Sequence, residues 1–368
     1  MYLKYSMVVF SLFFISCDNH AINTSVESNA TSVESNATSV ESNATSVESN
    51  ATSVESNTTS VESNATSVES NTTSVESNTT SVESNTTSFL LKTAQLTIYY
   101  PNDDGAYQAG TQREYNRTNS TVHEISKNIF WQDSNEVTNN SYTQAEADSY
   151  CYYLIQDGYD DWRLPTIYEA MSLIDYGKET PAMDSAFINT GSGYLWTSTA
   201  CPVCKAKTFA YEEVTGSFLS FTEKDYNFHT RCIRENATYS KELTRDDTRE
   251  IVIDNNTSLM WQDDISVNKN NKNSFQDAID YCESLVLADF TDWRLPNIIE
   301  LRTLLDFSGA TGSAHPQEFV NLAINYWSST TVAGTNGEKA WDTEFYNAIS
   351  KAQAKELFLN ARCVRITQ

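Results

Sequence analysis

The sequence predicts an α+β protein in which two tandem modules, each closed by one disulfide, follow a disordered repetitive stalk. Motifs built from cysteine, tryptophan and arginine occur twice, 131 positions apart, as from Cys151 to Cys282. This spacing is the length of a domain copied once, because solenoid repeats run at roughly 20–50 residues. Upstream, residues 24–86 consist of nine contiguous seven-residue units, TSVESNA or TSVESNT.

The cysteine spacing predicts one long disulfide in each module. Cys151 and Cys232 lie 81 positions apart, and Cys282 and Cys363 have the same separation. In the chain-entropy model, closing a loop of this size stabilises the folded state by about 4.5 kcal/mol. Such bonds require an oxidising compartment outside the cytosol.

A further cysteine pair, Cys201 and Cys204, occurs in the first module only, within the sequence CPVC. We expect it to close a small stapled loop. A redox pair or half of a zinc site is the alternative, although zinc would need two more ligands at suitable spacing. The four histidines do not recur between the modules, so we expect no histidine catalysis common to both. The sequence also predicts no metal site and no cofactor.

The N-terminus predicts export and a lipid anchor. Residues 1–16 combine Lys4 with an apolar run far shorter than the roughly 20 residues that span a bilayer, which is typical of a signal peptide. Cys17 follows directly and resembles the lipidated cysteine of bacterial lipoproteins. The expected location is the bacterial cell envelope, surface-exposed or periplasmic, with residues 17–23 anchored to the membrane by acyl chains. Ordinary secretion with an incidental cysteine is the alternative.

The repeats predict a disordered or extended stalk over residues 24–88. Each unit contains one valine, and one such residue in seven cannot form the paired apolar seam of a coiled coil. Serine, threonine and asparagine also favour caps and turns over helix interiors. Every unit carries an N-x-T acceptor for glycosylation, preceded by glutamate as in bacterial acceptors; a plain polar spacer is the alternative. The candidate asparagines are Asn29, Asn36, Asn43, Asn50, Asn57, Asn64, Asn71, Asn78 and Asn85.

Composition changes at residue 89, and two modules follow. The first module with its lead-in occupies 89–235, a charged linker 236–249, and the second module 250–368. Each unit of roughly 115 residues can bury about two-thirds of its unfolded surface, enough for an independent domain.

Capping signals predict two helices in each module. Ser141 with Gln144 is expected to open the helix that carries Cys151, and Ser274 the helix that carries Cys282. Thr166 and Asn297 each precede a glutamate by three residues, which predicts a second helix reaching about residue 176 or 307. Aromatic and hydroxyl-rich runs after these helices predict strands. In the last strand of the first module, period two places Arg234 on the same face as Cys232, so Arg234 should be partly buried beside a carboxylate.

Four motifs occur in both modules: WQD (131–133 and 261–263), DWRLP-x3-E, W-[ST]-S-T and R-C-x-R. Together they resemble the C-terminal domain family of the Legionella collagen-like adhesin. The resemblance implies an exported, surface-associated protein; that adhesin joins a repetitive stalk to this domain and binds sulfated polysaccharides. The R-L-P-T-x-x-E run is also similar to formylglycine-generating enzymes. That similarity implies a C-type-lectin-like fold, in which a disulfide joins the first helix to the last strand.

Charge narrows the ligand class. The net charge is −25, and it is −16 over residues 89–368, where 23 Lys and Arg face 39 Asp and Glu. Repulsion therefore disfavours nucleic acid, anionic membrane surfaces and sulfated glycans. The calcium-site triplets of lectins, EPN, QPD and WND, do not occur in the sequence.

The function predicted is a non-catalytic surface binding or adhesion protein with a glycan or protein ligand. A structural spacer of the envelope is one alternative, and an enzyme of the formylglycine-generating type is another. We predict the ligand site between the W-[ST]-S-T strand and the last strand of the second module. There an aromatic platform and acceptors occur together, as Trp341, Asp342, Glu344 and Tyr346.

Overall fold

The computed structural model describes residues 90–191, 193–200, 207–216, 218–235, 241–267, 272–307 and 314–367. The predicted signal peptide, Cys17, the stalk with its nine candidate asparagines, and the Cys201 and Cys204 pair lie outside the described residues. Within these ranges, no helix has both the length and the apolar character needed to cross a membrane.

The first module combines two antiparallel sheets with short helices. One sheet has the order β1-β2-β3-β7 and the other β4-β5-β6. The helices are α1 (Asp104–Tyr107), α2 (Glu136–Asn139), α3 (Gln144–Tyr152) and α4 (Ile167–Ser172). The strands are β1 (Tyr115–Thr118), β2 (Thr121–Glu124), β3 (Ile129–Gln132), β4 (Tyr194–Ala200), β5 (Lys207–Glu212), β6 (Phe218–Glu223) and β7 (Ile233–Arg234).

The second module repeats this plan, which confirms the predicted tandem α+β architecture. Its sheets have the orders β16-β10-β9-β8 and β11-β15-β12-β13-β14. Its helices are α5 (Phe275–Glu283) and α6 (Ile298–Thr303). Its strands are β8 (Leu243–Asp246), β9 (Ile251–Asp254), β10 (Leu259–Gln262), β11 (Lys272–Asn273), β12 (Asn325–Thr331), β13 (Lys339–Glu344), β14 (Ile349–Ala354), β15 (Leu359–Asn360) and β16 (Val364–Ile366).

Each module is closed by a disulfide between its first long helix and its last strand region. The Cα atoms of Cys151 and Cys232 lie 5.5 Å apart, and those of Cys282 and Cys363 lie 5.4 Å apart. Both pairs are fully buried. The two long disulfides predicted from spacing are confirmed.

Three of the four predicted helix starts are confirmed. Thr166 and Asn297 form capping boxes with the glutamates three residues on, and Ser274 accepts from the amide of Asp277. The prediction for Ser141 is wrong, because Thr143 is the N-cap of α3. The chain is still extended at residue 142, which forms a β-bridge, so the first helical turn starts later. Helices α4 and α6 are also shorter than predicted.

The largest hydrophobic cluster contains side chains of both modules. Phe307 of the second module packs edge-on against Tyr168 and Phe209 of the first, with ring centroids 5.1 and 4.8 Å apart. The Tyr168 hydroxyl also donates to the carbonyl of Leu305 at 2.8 Å. Smaller clusters surround each disulfide. The modules therefore have private cores around the disulfides and one shared core between them.

Residues 90–113, which we term the lead-in segment, connect the two modules. Thr330 of the second module donates to Asp104 at 2.7 Å, and the amide of Thr331 donates to Gln95 at 2.6 Å. Toward the first module, Arg113 donates to the carbonyl of Ile174 at 2.8 Å. The lead-in segment precedes the first module in sequence, yet much of its hydrogen bonding is with the second.

Candidate binding surfaces

The WQD motif holds the last strand in place. The side-chain oxygen of Gln132 accepts from the amide of Cys232 at 3.2 Å, and Asp133 accepts from Arg231 at 2.8 Å. Burial alone would raise the pKa of Asp133. The charge and hydrogen bond of Arg231, together with hydrogen bonds from the Ile188 amide and the Arg117 side chain, outweigh burial and hold this pKa below its usual value. The second module repeats both contacts, at 3.1 and 2.9 Å. This motif is therefore internal framework.

The DWRLP motif is also framework. Trp162 and Leu164 are buried, at 2% and 1% exposure. Arg163 donates to both carboxylate oxygens of Glu169, at 2.9 and 2.6 Å, and so orients the capping box of α4. The equivalent arginine and glutamate of the second module make the same pair at 2.7 and 2.5 Å.

The arginine of the closing strand is buried beside a carboxylate, as predicted. Arg234 is 8% exposed and its Nε donates to Asp161 at 2.7 Å. Its guanidinium also lies 3.8 Å from the ring centre of Tyr159. Arg365 pairs with Asp292 in the same way, again at 2.7 Å.

The four residues predicted to bind ligand do not form one exposed platform. Trp341 is 8% exposed and packs edge-on against Tyr176 of the first module, with centroids 5.5 Å apart. Asp342 is fully buried and accepts from an asparagine side chain at 2.7 Å; burial raises its pKa to about 6. Glu344 forms an ion pair with a lysine of the next strand. Only Tyr346 is largely exposed, at 61%. Ligand binding by this set stays a prediction.

Trp341 does border a cleft between the modules. The cleft has a volume of about 480 Å³ and is lined from the first module by Tyr176, Lys178 and Glu179 and from the second by Trp341 and Lys351. Both signs of charge are present on its walls.

An exposed aromatic surface lies on the first module instead, around helix α3. Tyr152, Tyr153 and Ile155 are 70%, 77% and 78% exposed. Beside them is an open groove of about 660 Å³ whose walls include the rings of Tyr142 and Tyr150, stacked with centroids 5.0 Å apart. We term the aromatic groove the four lining residues Tyr142, Tyr150, Tyr153 and Ile155 together with Tyr152, which lies beside the groove with its ring edge-on against Tyr153 at a centroid distance of 5.0 Å. The sequence signal for it was the run Tyr-Cys-Tyr-Tyr at 150–153, which the second module does not repeat.

Comparison with known protein families identifies the repeated unit. The model of the Lcl C-terminal domain matches residues 120–234 and again residues 250–365. The chain belongs to the Lcl C-terminal domain family. A search of curated proteins found no match to this chain. The two Lcl domains coincide with the two modules, so the contacts repeated between them are the internal framework of this domain.

The second Lcl domain has no counterpart of the aromatic groove. At the positions of Tyr152 and Tyr153 its helix carries Glu283 and Ser284. The lead-in segment covers this face, because the hydroxyl of Tyr107 donates to Glu283 at 2.9 Å and that of Tyr100 to the nearby Asp280 at 3.0 Å. After duplication, one Lcl domain thus binds the chain's own tyrosines, whereas the other exposes tyrosines of its own.

Within the described ranges, no group of three or more histidine, cysteine, aspartate or glutamate side chains is placed to hold a metal ion.

Proposed function

We propose that this chain is a cell-surface adhesion protein, anchored by lipid at Cys17, whose first Lcl domain binds a neutral glycan through the aromatic groove. Membership of the Lcl family suggests an adhesin-like role. The two disulfides indicate that the chain folds in an oxidising compartment, as exported and surface proteins do.

The aromatic groove is the observation on which this proposal rests. Large exposed apolar patches are uncommon on proteins without a partner, and tyrosine combines a flat apolar face with a polar hydroxyl. Glu146 on the same wall supplies carboxylate oxygens; hydrogen bonds from the backbone and side chain of Thr143 lower its pKa, which favours the charged acceptor. Flat rings beside acceptors suit a sugar ring, which has apolar C–H faces and hydroxyl donors.

The charge of the tandem restricts the glycan. Residues 89–368 carry a net charge of −16, so a polyanionic polysaccharide would be repelled over the whole surface. A neutral glycan avoids this repulsion. The stalk, residues 24–88, supplies reach in this proposal: as a flexible coil it would span roughly 45 Å between the membrane and the Lcl domains.

A glycan array probed with the full chain tests the proposal. We expect binding to neutral glycans that Tyr152→Ala with Tyr153→Ala weakens roughly tenfold or more, since contact tyrosines at the centre of a binding surface commonly contribute above about 1 kcal/mol each. Tyr346→Ala serves as the matched control, because it removes an exposed tyrosine of the second domain.

The two variants separate the candidate sites. Loss of binding in Tyr346→Ala alone would return the site to the segment predicted from sequence. Unchanged binding in both variants would show that neither surface contacts the glycan. If no glycan on the array is bound, the glycan proposal fails, and a protein ligand or a spacer role takes its place.

A further inference from the structure

A small cavity of about 60 Å³ lies where the two Lcl domains meet. Helices α4 and α6, which are equivalent in the duplication, face each other across it. Three pairs of positions separated by 131 line its walls: Tyr168 with Ile299, Met171 with Arg302, and Ser172 with Thr303. The cavity is therefore a product of the duplication, because no single Lcl domain could form it.

Cations outnumber carboxylates on these walls. Lys127, Arg113 and Arg302 line the cavity, and the carboxylate among the lining residues is that of Glu169. Both oxygens of Glu169 are already held by Arg163, which reduces what this carboxylate can offer the other cations. Burial lowers the pKa of Lys127. The charge of Glu124, which does not line the cavity, acts in the opposite direction but is the smaller effect. In a tandem with net charge −16, a positive cavity calls for an explanation.

Two lining groups lack a protein partner. Within the described ranges, the ammonium of Lys127 has no hydrogen bond or ion pair, and the hydroxyl of Tyr176 is buried without a hydrogen bond. A buried donor left without an acceptor, such as the Tyr176 hydroxyl, destabilises the folded state. Arg302 donates from Nε to Ser350 at 2.9 Å, and burial lowers its pKa to about 9. A negatively charged acceptor in the cavity would satisfy Tyr176 and pair with the charge of Lys127, beside the guanidinium of Arg302.

Apart from the hydroxyls of Ser172 and Thr303, the rest of the wall is apolar. Leu91, Met171 and Ile299 contribute hydrocarbon, as do the rings of the two lining tyrosines. A volume of about 60 Å³ is room for roughly two waters' share of liquid or one molecule of a few heavy atoms. Lys127, Met171 and Ile299 are each half-buried, so the cavity reaches the surface. Cationic donors and hydrocarbon around one small volume suit a short carboxylate better than a fully hydrated ion.

We propose that this cavity binds a small monocarboxylate of two to four carbons, with its carboxylate at Lys127, Tyr176 and Arg302 and its alkyl group against Met171 and Ile299. A bound carboxylate would join the two Lcl domains, since its partners come from both. This site is separate from the aromatic groove and does not depend on glycan binding.

Isothermal titration of the full chain with propionate, at ionic strength held constant with chloride, tests the proposal. We expect saturable binding that Lys127→Met and Arg302→Met each weaken at least about tenfold, because a charge-assisted hydrogen bond is lost. Arg302→Met installs the residue that the first domain has at position 171, so its size suits the site. Lys339→Met, which removes an exposed lysine, should bind as the wild type does.

A second measurement keeps the test decisive if a variant misfolds. Nuclear Overhauser effects from the propionate methyl group to the Met171 methyl group in the wild-type chain are expected. The proposal is overturned if propionate shows no saturable binding, if Lys127→Met binds it as tightly as the wild type, or if those Overhauser effects are absent. Phosphate binding as tightly as propionate would overturn the carboxylate assignment, because the apolar wall would then contribute nothing.

Discussion

At the scale of single residues, Asp104 is the most unusual side chain of the lead-in segment. It is 1% exposed and accepts from Thr93 at 2.5 Å and from Thr330 at 2.7 Å, while its other oxygen is buried without a hydrogen bond. Burial raises the pKa of Asp104 to about 7. The two hydrogen bonds and the charge of Arg294 oppose this rise, whereas the charge of Glu300 adds to it. The carboxyl group therefore fits its site better when it is protonated.

This environment predicts a pH-dependent lead-in segment. The folded state binds the proton more tightly than the unfolded chain, whose pKa is near 3.8, so Asp104 makes stability fall as pH rises from about 4 to about 7. Asp104→Asn, which stays neutral, should equal the wild type near pH 4 and exceed it near pH 8. Urea unfolding across this range measures the difference. Parallel pH profiles for the two proteins would contradict the assignment.

At the scale of elements, cations from distant parts of the chain donate to the backbone carbonyls at the ends of the short helices. At the end of α4, the guanidinium of Arg113 in the lead-in segment donates hydrogen bonds to the carbonyls of Ser172 and Ile174, at 2.5 and 2.8 Å. In the second domain, the ammonium of Lys241 donates a hydrogen bond to the carbonyl of Leu304, just after α6, at 3.2 Å. Positive charge at a helix C-terminus also complements its dipole. Neither cation is close in sequence to its helix, so the sequence suggested longer helices.

The long disulfides join a helix to the strand that closes each domain. Replacing Cys282 and Cys363 by alanine should lower the free energy of unfolding by about 2–5 kcal/mol, because the loop of 81 positions regains its freedom in the unfolded chain. The same change at Cys151 and Cys232 is the matched control, since its loop has the same length. Denaturant unfolding compares the two. A loss well below 1 kcal/mol in either would show that packing alone holds that helix and strand together.

At the scale of the whole molecule, we expect the shared core to make the two Lcl domains unfold as one cooperative unit. Phe307→Ala should cost about 3–5 kcal/mol and weaken both domains, because its ring packs on Tyr168 and Phe209 across the interface. Calorimetry should show a single transition that shifts as one. Phe358→Ala is the control, since that ring is 62% exposed and its loss should change stability by less than about 0.5 kcal/mol. Two transitions, with only one shifted, would contradict the shared core.

The sequence alone determined the features that depend on spacing and local hydrogen bonds. The duplication, the pairing of Cys151 with Cys232, and the capping boxes at Thr166 and Asn297 could all be predicted from it. Both copies keep the same 81-position spacing between their two cysteines, which identifies the pairs. A capping box needs only residues within one helical turn. The cap of α3 was misplaced because residue 142 forms an isolated β-bridge with residue 228, over 80 positions away.

Only the tertiary structure decided which aromatic side chains reach solvent. Trp341 looked like a binding platform in sequence, but Tyr176 of the other domain covers it. Tyr152 and Tyr153 follow Cys151 at the end of α3, which turns that cysteine inward and leaves both rings outside. The cavity at Lys127 likewise exists only because two equivalent helices meet. Exposure depends on surfaces contributed by distant parts of the chain, and no local pattern of residues records which surfaces those are.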